Sequence, residues 1–396
     1  MASRKPTRRE ALKLTGGSLA SLYLTGCPSP EPIGAPLPPL ALSAPIIVSG
    51  ALLGVWGEPD GSRVWMVGGR VEEGGAMSRH VALYERDAEG GQGKLSLHWS
   101  GPGAPLWWVW GDGQGGVWAG GEEGSLLRLD GAEWVEERVE LEDELREKAI
   151  IWGIWGEGGD EGRLWAVGGS YRRGGPRGLL LRRELSAEEP SGAVWRRVEE
   201  PLLPTERPDD PTAGLNLFKI WGVGAEGPVW VVGEGGEALY WPEGMSGPAE
   251  RLETPASDLM FTVHGSGARG ERVAVGGYGQ ASAWRWGDER WEVMSLEPGV
   301  SPLNGVSVSG PWAHLVGAMG VVTRVWLGDP ARYGETQAVY RAEGADLYTL
   351  HATWSPPSIG DEQTPSSLFI VGGDLESRRE GVILMNLTRP PVVEAW

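Results

Sequence analysis

Short apolar runs that stop at glycine recur along the chain from residue 46 onward. The clearest example is 106–134, where three apolar runs end at Gly111, at Gly120-Gly121 and at Asp130-Gly131. A fourth run of alternating apolar and polar residues begins at Trp134 and extends to Val139. Runs of this length bounded by Gly or Asp-Gly are typical of strands joined by tight turns. The stretch therefore predicts a unit of four short antiparallel strands.

The unit repeats seven times, and the first strand of each copy ends in Trp-Gly or a substitute for it. These positions are Trp56-Gly57, Trp110-Gly111, Trp155-Gly156, Trp221-Gly222, His264-Gly265, Ser309-Gly310 and Trp354-Ser355. The second strand of each copy then ends in glycine, often a doublet such as Gly68-Gly69 or Gly168-Gly169. We expect these doublets to turn the chain with positive φ.

Seven four-stranded units of about 45 residues predict an all-β fold, a seven-bladed β-propeller over 46–396. One such sheet cannot bury both faces, so neighbouring blades must pack together, with tryptophan filling the gaps. A β-sandwich would have to produce the in-phase Trp-Gly positions by coincidence. The strand that completes the seventh blade stays open at this stage, because the apolar runs 46–49 and 392–396 both suit that position.

The repeats resemble those of kelch-like and photosystem-assembly-factor-like propellers. The resemblance rests on a strand ending in Gly, a following Asp-Gly turn and an outer strand led by Trp, as in Asp130-Gly131 and Trp134. It covers residues 46–396 and implies the fold without implying a function. The units containing His264, Ser309 and His314 depart from the pattern, because tryptophan is replaced there.

Composition supports the repeat interpretation and restricts the partners. The chain has 22 Trp but only 3 Phe, and its formal net charge is -19. The acidic balance lies in the body of the chain, since residues 1–26 carry five basic side chains and one acidic one. Such a body repels phosphates, so we expect no nucleic-acid partner. A single cysteine excludes an intrachain disulfide.

The N-terminus predicts export and lipid attachment. Arg8-Arg9 precedes a modestly apolar segment that ends in Leu24-Thr25-Gly26-Cys27, which resembles a twin-arginine signal followed by a lipobox. We therefore expect a signal peptide over 1–26, lipidation of Cys27 and a proline-rich tether over 27–45. The expected location is a cell membrane or outer membrane, facing the periplasm or the cell exterior.

The body of the chain lacks a recognisable catalytic motif. It contains no HExxH, CxxC, EF-hand loop or Gly-x-Ser-x-Gly elbow, so we expect no catalytic residue, no metal and no cofactor. Three of the five histidines, His264, His314 and His351, lie in or beside strands of the later blades and fit packing positions better than metal ligation. The acidic stretch 140–147 predicts a solvated helical turn on a connecting loop.

Arginine-bearing loops are the main candidate for a binding site. The loop between strands two and three is long in units one, three and seven, and there it carries arginine. The candidates are Arg70 and Arg79, Arg172, Arg173 and Arg177, and Arg378 and Arg379, joined by Arg207 on the connection 201–214. All these loops emerge on one face of a propeller, where guanidinium groups can hold an anionic glycan or an acidic protein surface. Paired acidic residues such as Glu72 and Glu376 favour the alternative of ordinary solvated loops.

Polar residues of the first strands provide a second candidate, in the central channel. We expect Lys219 and His351 to face it, together with Asn216, Thr262, Asn304, Ser307 and Thr349. The sequence thus favours a monomeric, non-enzymatic binding or scaffold module at the cell envelope. The alternative is a glycan hydrolase or lyase, which needs two convergent carboxylates at the channel mouth.

Overall fold

The structure is a computed structural model that describes most of the propeller region. It describes residues 40–87, 92–158, 162–198, 214–224, 226–255, 259–267, 270–328, 348–357 and 367–396, with the backbone of 336–341. Arg8, Arg9, Cys27 and Arg207, and the tether as far as residue 39, lie outside the described residues. Within these ranges no helix is long and apolar enough to cross a membrane.

Seven small antiparallel sheets form a seven-bladed β-propeller, as the repeats predict. Blade one contains β2 (Ala51–Gly57), β3 (Arg63–Val71), β4 (Met77–Glu85) and β5 (Lys94–Pro102). Blade two contains β6 (Leu106–Gly111), β7 (Val117–Gly121), β8 (Leu126–Asp130) and β9 (Glu133–Glu136). Blade three contains β11 (Ile150–Gly156), β12 (Leu164–Gly169), β13 (Leu179–Leu185) and β14 (Ala193–Arg197). Blades four and five contain β15 (Leu217–Gly222), β16 (Val229–Gly233), β17 (Ala238–Met245) and β18 (Glu250–Arg251); β19 (Met260–Gly265), β20 (Arg272–Gly276), β21 (Ser282–Gly287) and β22 (Arg290–Val293). Blades six and seven contain β23 (Leu303–Ser309), β24 (Trp312–Gly317), β25 (Val321–Trp326) and β26 (Thr336–Arg341); β27 (Thr349–Trp354), β28 (Leu368–Gly373) and β29 (Glu380–Asn386).

Both chain ends add strands, and they add them to different blades. The N-terminal β1 (Ile46–Ser49) pairs antiparallel with β29 and supplies the outermost strand of blade seven. The C-terminal β30 (Val392–Val393) pairs in parallel with β5 and becomes a fifth strand of blade one. The question that the sequence left open is thus resolved in favour of closure by the N-terminal strand.

The connection between blades two and three also departs from expectation. The fourth strand of blade two ends at Glu136, earlier than Val139, because the chain then switches sheets. The following β10 (Arg138–Glu140) pairs in parallel with β14 as a fifth strand of blade three. The short helix α1 (Asp143–Arg146) comes next and buries no residue, as the acidic composition predicts.

The hydrophobic core is divided into seven clusters, each between two adjacent blades. Trp65 and Trp134 belong to the cluster of blades one and two, for example, and Trp165 and Trp241 to that of blades three and four. Each cluster buries one face of two successive sheets, as expected for a fold in which each blade contacts its neighbours. Tryptophan does fill the gaps between blades.

The Trp-Gly pair connects one blade to the next. The six-membered ring of Trp56 lies where a Cβ on Gly111 would project, and Trp155, Trp221 and Trp354 have the same relation to Gly222, Gly265 and Gly57. In blade five His264 replaces the tryptophan, and its Nδ1 accepts a hydrogen bond of 3.0 Å from the backbone N–H of Val308 in blade six. At Gly57, Gly111, Gly222 and Gly265, glycine is required because the tryptophan ring of the preceding blade occupies the space of a side chain.

The glycine that ends strand two has a different role from the predicted one. In all seven blades a β-bulge interrupts the pairing of strands one and two. This glycine pairs with the residue of strand one that immediately precedes the bulged residue. A Cβ on Gly68 would overlap the carbonyl oxygen of Ala51, and one on Gly168 would overlap that of Ile150. Among the glycine doublets at the end of strand two, only Gly277 has a positive φ, of 111°. The prediction of a positive-φ turn is therefore wrong for the other described doublets, where glycine permits a close approach of the backbone.

The position of the bulge also shows which residue of blade six is equivalent to the tryptophan of the other blades. Trp56 lies three residues after the bulged Leu53, and the residue three after the bulged Asn304 is Ser307. Ser307 pairs with His314, as Trp56 pairs with Trp65. Ser307, and not Ser309, is thus the structural equivalent of the tryptophan in this blade.

Candidate functional site: the channel mouth on the loop face

The seven bulged residues surround one end of the central channel. They are Leu53, Trp107, Trp152, Phe218, Phe261, Asn304 and His351. Each lies near the start of an innermost strand, on the face that also carries the loops between strands two and three; we call it the loop face. A bulge redirects a side chain that a regular strand would point elsewhere, and bulges are common beside functional sites.

Aromatic rings form a continuous arc along one side of this mouth. The ring centroids of Trp152 and Phe218 lie 5.2 Å apart, and those of Phe218 and Phe261 lie 5.4 Å apart. Tyr171, on the long loop of blade three, packs 5.2 Å from Trp152 and is 60% exposed. Partial burial and the charge of Glu234 raise the pKa of Tyr171 to about 12, so its hydroxyl stays protonated. We call these four residues the aromatic arc. The exposed ring of Tyr171 packs on the buried rings of Trp152 and Phe218.

Polar bulge residues occupy the other side of the mouth. His351 contacts the Leu53 carbonyl oxygen through Nδ1 at 2.5 Å and meets the ring of Trp107 edge-on at 5.3 Å. Burial and the nearby charge of Lys219 lower the pKa of His351 to about 4, so the ring is neutral at neutral pH. Nδ1 therefore carries the proton it donates to Leu53, and Nε2 is left as an acceptor. Asn304 donates through Nδ2 to the Leu350 carbonyl oxygen at 3.1 Å.

Lys219 lies deeper in the channel, in contact with a blade that is not its neighbour. Its Nζ is 3.3 Å from the ring centroid of Trp108 and donates to the Trp152 carbonyl oxygen at 2.6 Å. Blade three separates blade four, which carries Lys219, from blade two, which carries Trp108, so the contact crosses the channel. Burial lowers the pKa of Lys219 well below its usual range. The predicted channel position of Lys219 agrees with this geometry, whereas Asn216 is fully buried and bonds Ser170 of blade three.

A single carboxylate joins three blades at the rim. Glu122 of blade two accepts from Arg378 of blade seven at 3.0 Å and from the indole N–H of Trp107 at 3.2 Å, and Arg172 of blade three lies 4.0 Å away. The Glu122 side chain is 14% exposed. Arg378 has a φ of 52°, which is uncommon for a residue with a side chain. We call the Glu122–Arg378–Arg172 arrangement the clasp.

Most of the other candidate arginines are also ion-paired. Arg70 pairs with Glu72 at 2.7 Å, Arg79 of blade one with Glu136 of blade two at 3.0 Å, and Arg177 of blade three with Glu234 of blade four. Arg173 and Arg379 are exposed, and within the described residues neither side chain has an ion pair. The candidates do lie at one face, but Arg70 and Arg79 lie within β3 and β4 and not in the predicted loop between them. Ion pairs to another blade are made by four of the seven, Arg79, Arg172, Arg177 and Arg378.

The rim carboxylates Glu122 and Glu234 both accept from arginine. Among the described residues, no group of three or more His, Cys, Asp or Glu side chains is placed to hold a metal ion. What the mouth offers is aromatic surface on one side, hydrogen-bonding groups on the other and a preorganised rim.

None of the four residues of the aromatic arc was predicted from the sequence. The signal was present, since the bulged residue precedes the Trp-Gly tryptophan by three positions, as Trp152 precedes Trp155. Trp107, Trp152, Phe218 and Phe261 occupy this position in four successive blades. In an apolar strand, however, an aromatic residue that faces a channel looks the same as one that faces the core.

Comparisons with known proteins add no family. No family model and no curated protein matches the chain. A solved structure described as YCF48 bound to D1 peptide is similar, with 14% sequence identity and a TM-score of 0.48, covering 72% of this chain and 92% of that one.

Proposed function

We propose that this chain is a lipid-anchored propeller of the cell envelope that binds a protein partner at its loop-face mouth. The observation that carries the proposal is the aromatic arc, with exposed Tyr171 on a base of Trp152 and Phe218. Aromatic residues are enriched at protein interfaces, where their rigid rings bury a large area at a small entropic cost. The role is that of a binding or scaffold module.

The arc is well suited to an apolar or aromatic side chain of a partner. Trp152 is 6% exposed and Phe218 is 3% exposed, so these rings are fixed by packing before any ligand arrives. Phe261 is partly buried at the end of the arc and leaves part of its ring accessible. A preformed surface loses little conformational entropy on binding, which favours affinity.

The clasp supports the same proposal by holding the rim in place. Arg378 and Glu122 are separated by 256 positions in sequence, so their bond ties blade seven to blade two across blade one. Charge-assisted hydrogen bonds of this kind are stronger than neutral ones. A fixed rim keeps the arc and the polar side of the mouth at a constant separation.

A protein partner agrees better with the charges than an anionic glycan does. A polyanion needs several uncommitted guanidinium groups, and Arg70, Arg79, Arg177 and Arg378 already bond carboxylates. Arg173 and Arg379 remain exposed at the rim, where they can pair with acidic residues of a partner. Such rim charges affect the rate of association more than the final affinity.

The anchored location rests on the N-terminal sequence. The only cysteine of the chain, Cys27, follows Arg8-Arg9 and an apolar segment at the position that a lipobox requires. Palmitate labelling of the full chain in a bacterial host tests this part: label should appear on the wild-type protein and disappear in Cys27→Ala. Equal membrane association of the two proteins would argue against the anchor.

Binding is tested by cross-linking the full anchored chain in its own membranes and comparing three proteins. Wild type should recover a defined protein, Tyr171→Ala and Phe261→Ala should lose most of it, and Tyr278→Ala should retain it. Tyr278 is a suitable control because it is 83% exposed on the same face but outside the arc. Equal recovery by all the variants would refute the mouth as the site. Retention of a sulfated polysaccharide that is lost in Arg173→Ala/Arg379→Ala would instead favour the glycan ligand.

A further inference from the structure

We infer that the outer edge of blade five is a second interaction surface, which adds one extended strand of a partner protein to its sheet. We expect this strand to carry apolar residues followed by lysine or arginine. The edge is formed by β22 (Arg290–Val293), and within the described residues no strand pairs with its outer side. The surface lies at the periphery of the propeller and does not depend on the proposed function of the mouth.

Two other blades of this propeller already carry an added strand at the same edge. The segment β10 (Arg138–Glu140) pairs in parallel with β14 of blade three, and β30 (Val392–Val393) pairs in parallel with β5 of blade one. These strands bond the N–H and C=O groups that an edge strand leaves free. A partner protein can add a strand to a free edge in the same way, through main-chain hydrogen bonds.

The edge of blade five is equivalent to that of blade three. The N–H of Met294, which follows β22, donates to a carbonyl oxygen of β21 at 2.9 Å, and Val198, which follows β14, makes the same bond to β13 at 2.9 Å. Three residues earlier, Trp291 is thus equivalent to Trp195, the residue that pairs with Val139 of β10. Val139 is buried in the cluster between blades two and three, so we expect an apolar residue of the partner opposite Trp291.

The free edge of β22 ends in an exposed apolar side chain. Val293 is 67% exposed. Because successive residues of an antiparallel strand direct their N–H and C=O groups to opposite sides, the inward bond of Met294 leaves the groups of Val293 directed outward. The fourth strands of blades two and four end instead in the exposed charged residues Glu136 and Arg251. Charged side chains protect an edge from pairing, and Val293 offers no such protection.

A groove of about 800 Å³ continues from this edge over the loop face to blade six. A strand added in parallel to β22 runs toward the loop face, so the groove receives the residues that follow the paired ones. Met319 of blade six is 53% exposed there, and methionine adapts its shape to different partners. The groove is lined mainly by apolar side chains, among them Val293, Met294, Leu296, Val300, Pro302 and Met319.

The charge of the groove selects a basic segment. Glu297 is the one charged residue among the described residues that line it. Within the same part of the chain Glu297 makes no ion pair. The formal net charge of -19 attracts a basic segment before contact and repels an acidic one. Lysine or arginine after the paired residues can therefore bond Glu297.

The test uses a fluorescein-labelled peptide, Thr-Val-Thr-Val-Thr-Lys-Lys, and two counterparts. One counterpart ends in Glu-Glu, and the other has proline in place of the second valine. Each is titrated with the full chain while its fluorescence anisotropy is measured. The lysine peptide should bind saturably, and the proline peptide should bind about tenfold more weakly because it lacks one main-chain donor. The acidic peptide should also bind more weakly, since its charge repels Glu297.

Variants of the chain locate the site. Val293→Pro removes the outward N–H and Val293→Lys places a like charge at the edge, so both should weaken binding of the lysine peptide. Glu297→Gln should weaken it about threefold, as expected for one partly exposed ion pair. Arg251→Pro is the matched control, because Leu252, which follows Arg251, bonds β17 at 2.9 Å as Met294 bonds β21. It should bind as wild type does, as should Tyr171→Ala at the mouth.

Urea unfolding midpoints show that each variant is folded, and Val293→Lys keeps the test valid if the proline variant is not. The inference is overturned if the lysine peptide does not bind, if the acidic or proline peptide binds as tightly, or if the folded Val293 variants bind as tightly as Arg251→Pro. Since Tyr171→Ala separates the two surfaces, failure here leaves the mouth proposal intact.

Discussion

Trp56 of blade one places its six-membered ring where a side chain on Gly111 of blade two would project. The same ring stacks on Trp65 across its own blade, with centroids 5.6 Å apart. The Trp-Gly pair is thus a contact between successive blades as well as a strand ending. Its repetition explains why tryptophan and glycine occur together at this position.

Substitution of that glycine should destabilise the propeller. Gly111→Ala forces a methyl group into the ring of Trp56, and overpacking of this kind costs about 1–3 kcal/mol. Urea unfolding followed by tryptophan fluorescence measures the change. Gly287→Ala is the control, since a Cβ there meets nothing within 4 Å and its φ is not positive. Equal midpoints for the two variants would contradict the inter-blade role.

The carboxylate Glu137 should be the most sensitive acidic residue of the fold. Its side chain is fully buried between β9 and β10, where it bonds the guanidinium of Arg183 through both oxygens and the Trp195 indole N–H at 2.8 Å. Removing one partner of a buried ion pair leaves the other charge uncompensated and costs about 3–5 kcal/mol. Glu137→Ala should show this loss in denaturant unfolding, while Glu133→Ala, on the exposed side of β9, should change stability by less than about 0.5 kcal/mol. Similar losses in both variants would refute the assignment.

Stability should fall as the pH drops from about 6.5 to about 4. Burial, with the charge of Arg70, lowers the pKa of His80 to about 4, and burial, with the charge of Arg324, lowers the pKa of His314 to about 3. In this window the unfolded chain binds protons that the folded chain does not, so protonation favours unfolding. Each such histidine contributes a slope of about 1.4 kcal/mol per pH unit. His80→Gln should reduce the slope of unfolding free energy against pH by this amount; an unchanged slope would show that His80 is protonated in the folded state.

The two terminal strands, β1 and β30, should differ in how much they contribute to the stability of the propeller. A chain that ends at residue 391 loses two residue pairs with β5 and the partly buried Trp396, but keeps all four strands of blade one. A chain that starts at residue 50 loses four residue pairs and the outermost strand of blade seven, where Val48 is buried. We expect the first protein to fold with a lower midpoint and the second to be cleaved much faster in limited proteolysis. Equal cleavage rates would mean that β1 does not close the ring.

Local pattern was sufficient for the strands and for the number of blades. Apolar runs ending at glycine, repeated in phase, predict antiparallel hairpins from interactions between residues close in sequence. The same pattern gave a wrong prediction of positive φ at the glycine doublets. In the sequence, a glycine that permits close backbone approach cannot be distinguished from one that adopts positive φ. It also misplaced the blade-six equivalent of tryptophan, since the bulge before Ser307 leaves no mark in hydrophobicity.

The sequence by itself determined the all-β class, the repeat and the loops that carry arginine. Only the tertiary structure decided which terminus closes blade seven, that Arg378 bonds Glu122, and that the bulged aromatic residues meet at one mouth. The reason is that the first group depends on neighbours along the chain. The second depends on how the ring brings distant blades together, and a side chain three positions before a tryptophan acquires its partners only after the ring has closed.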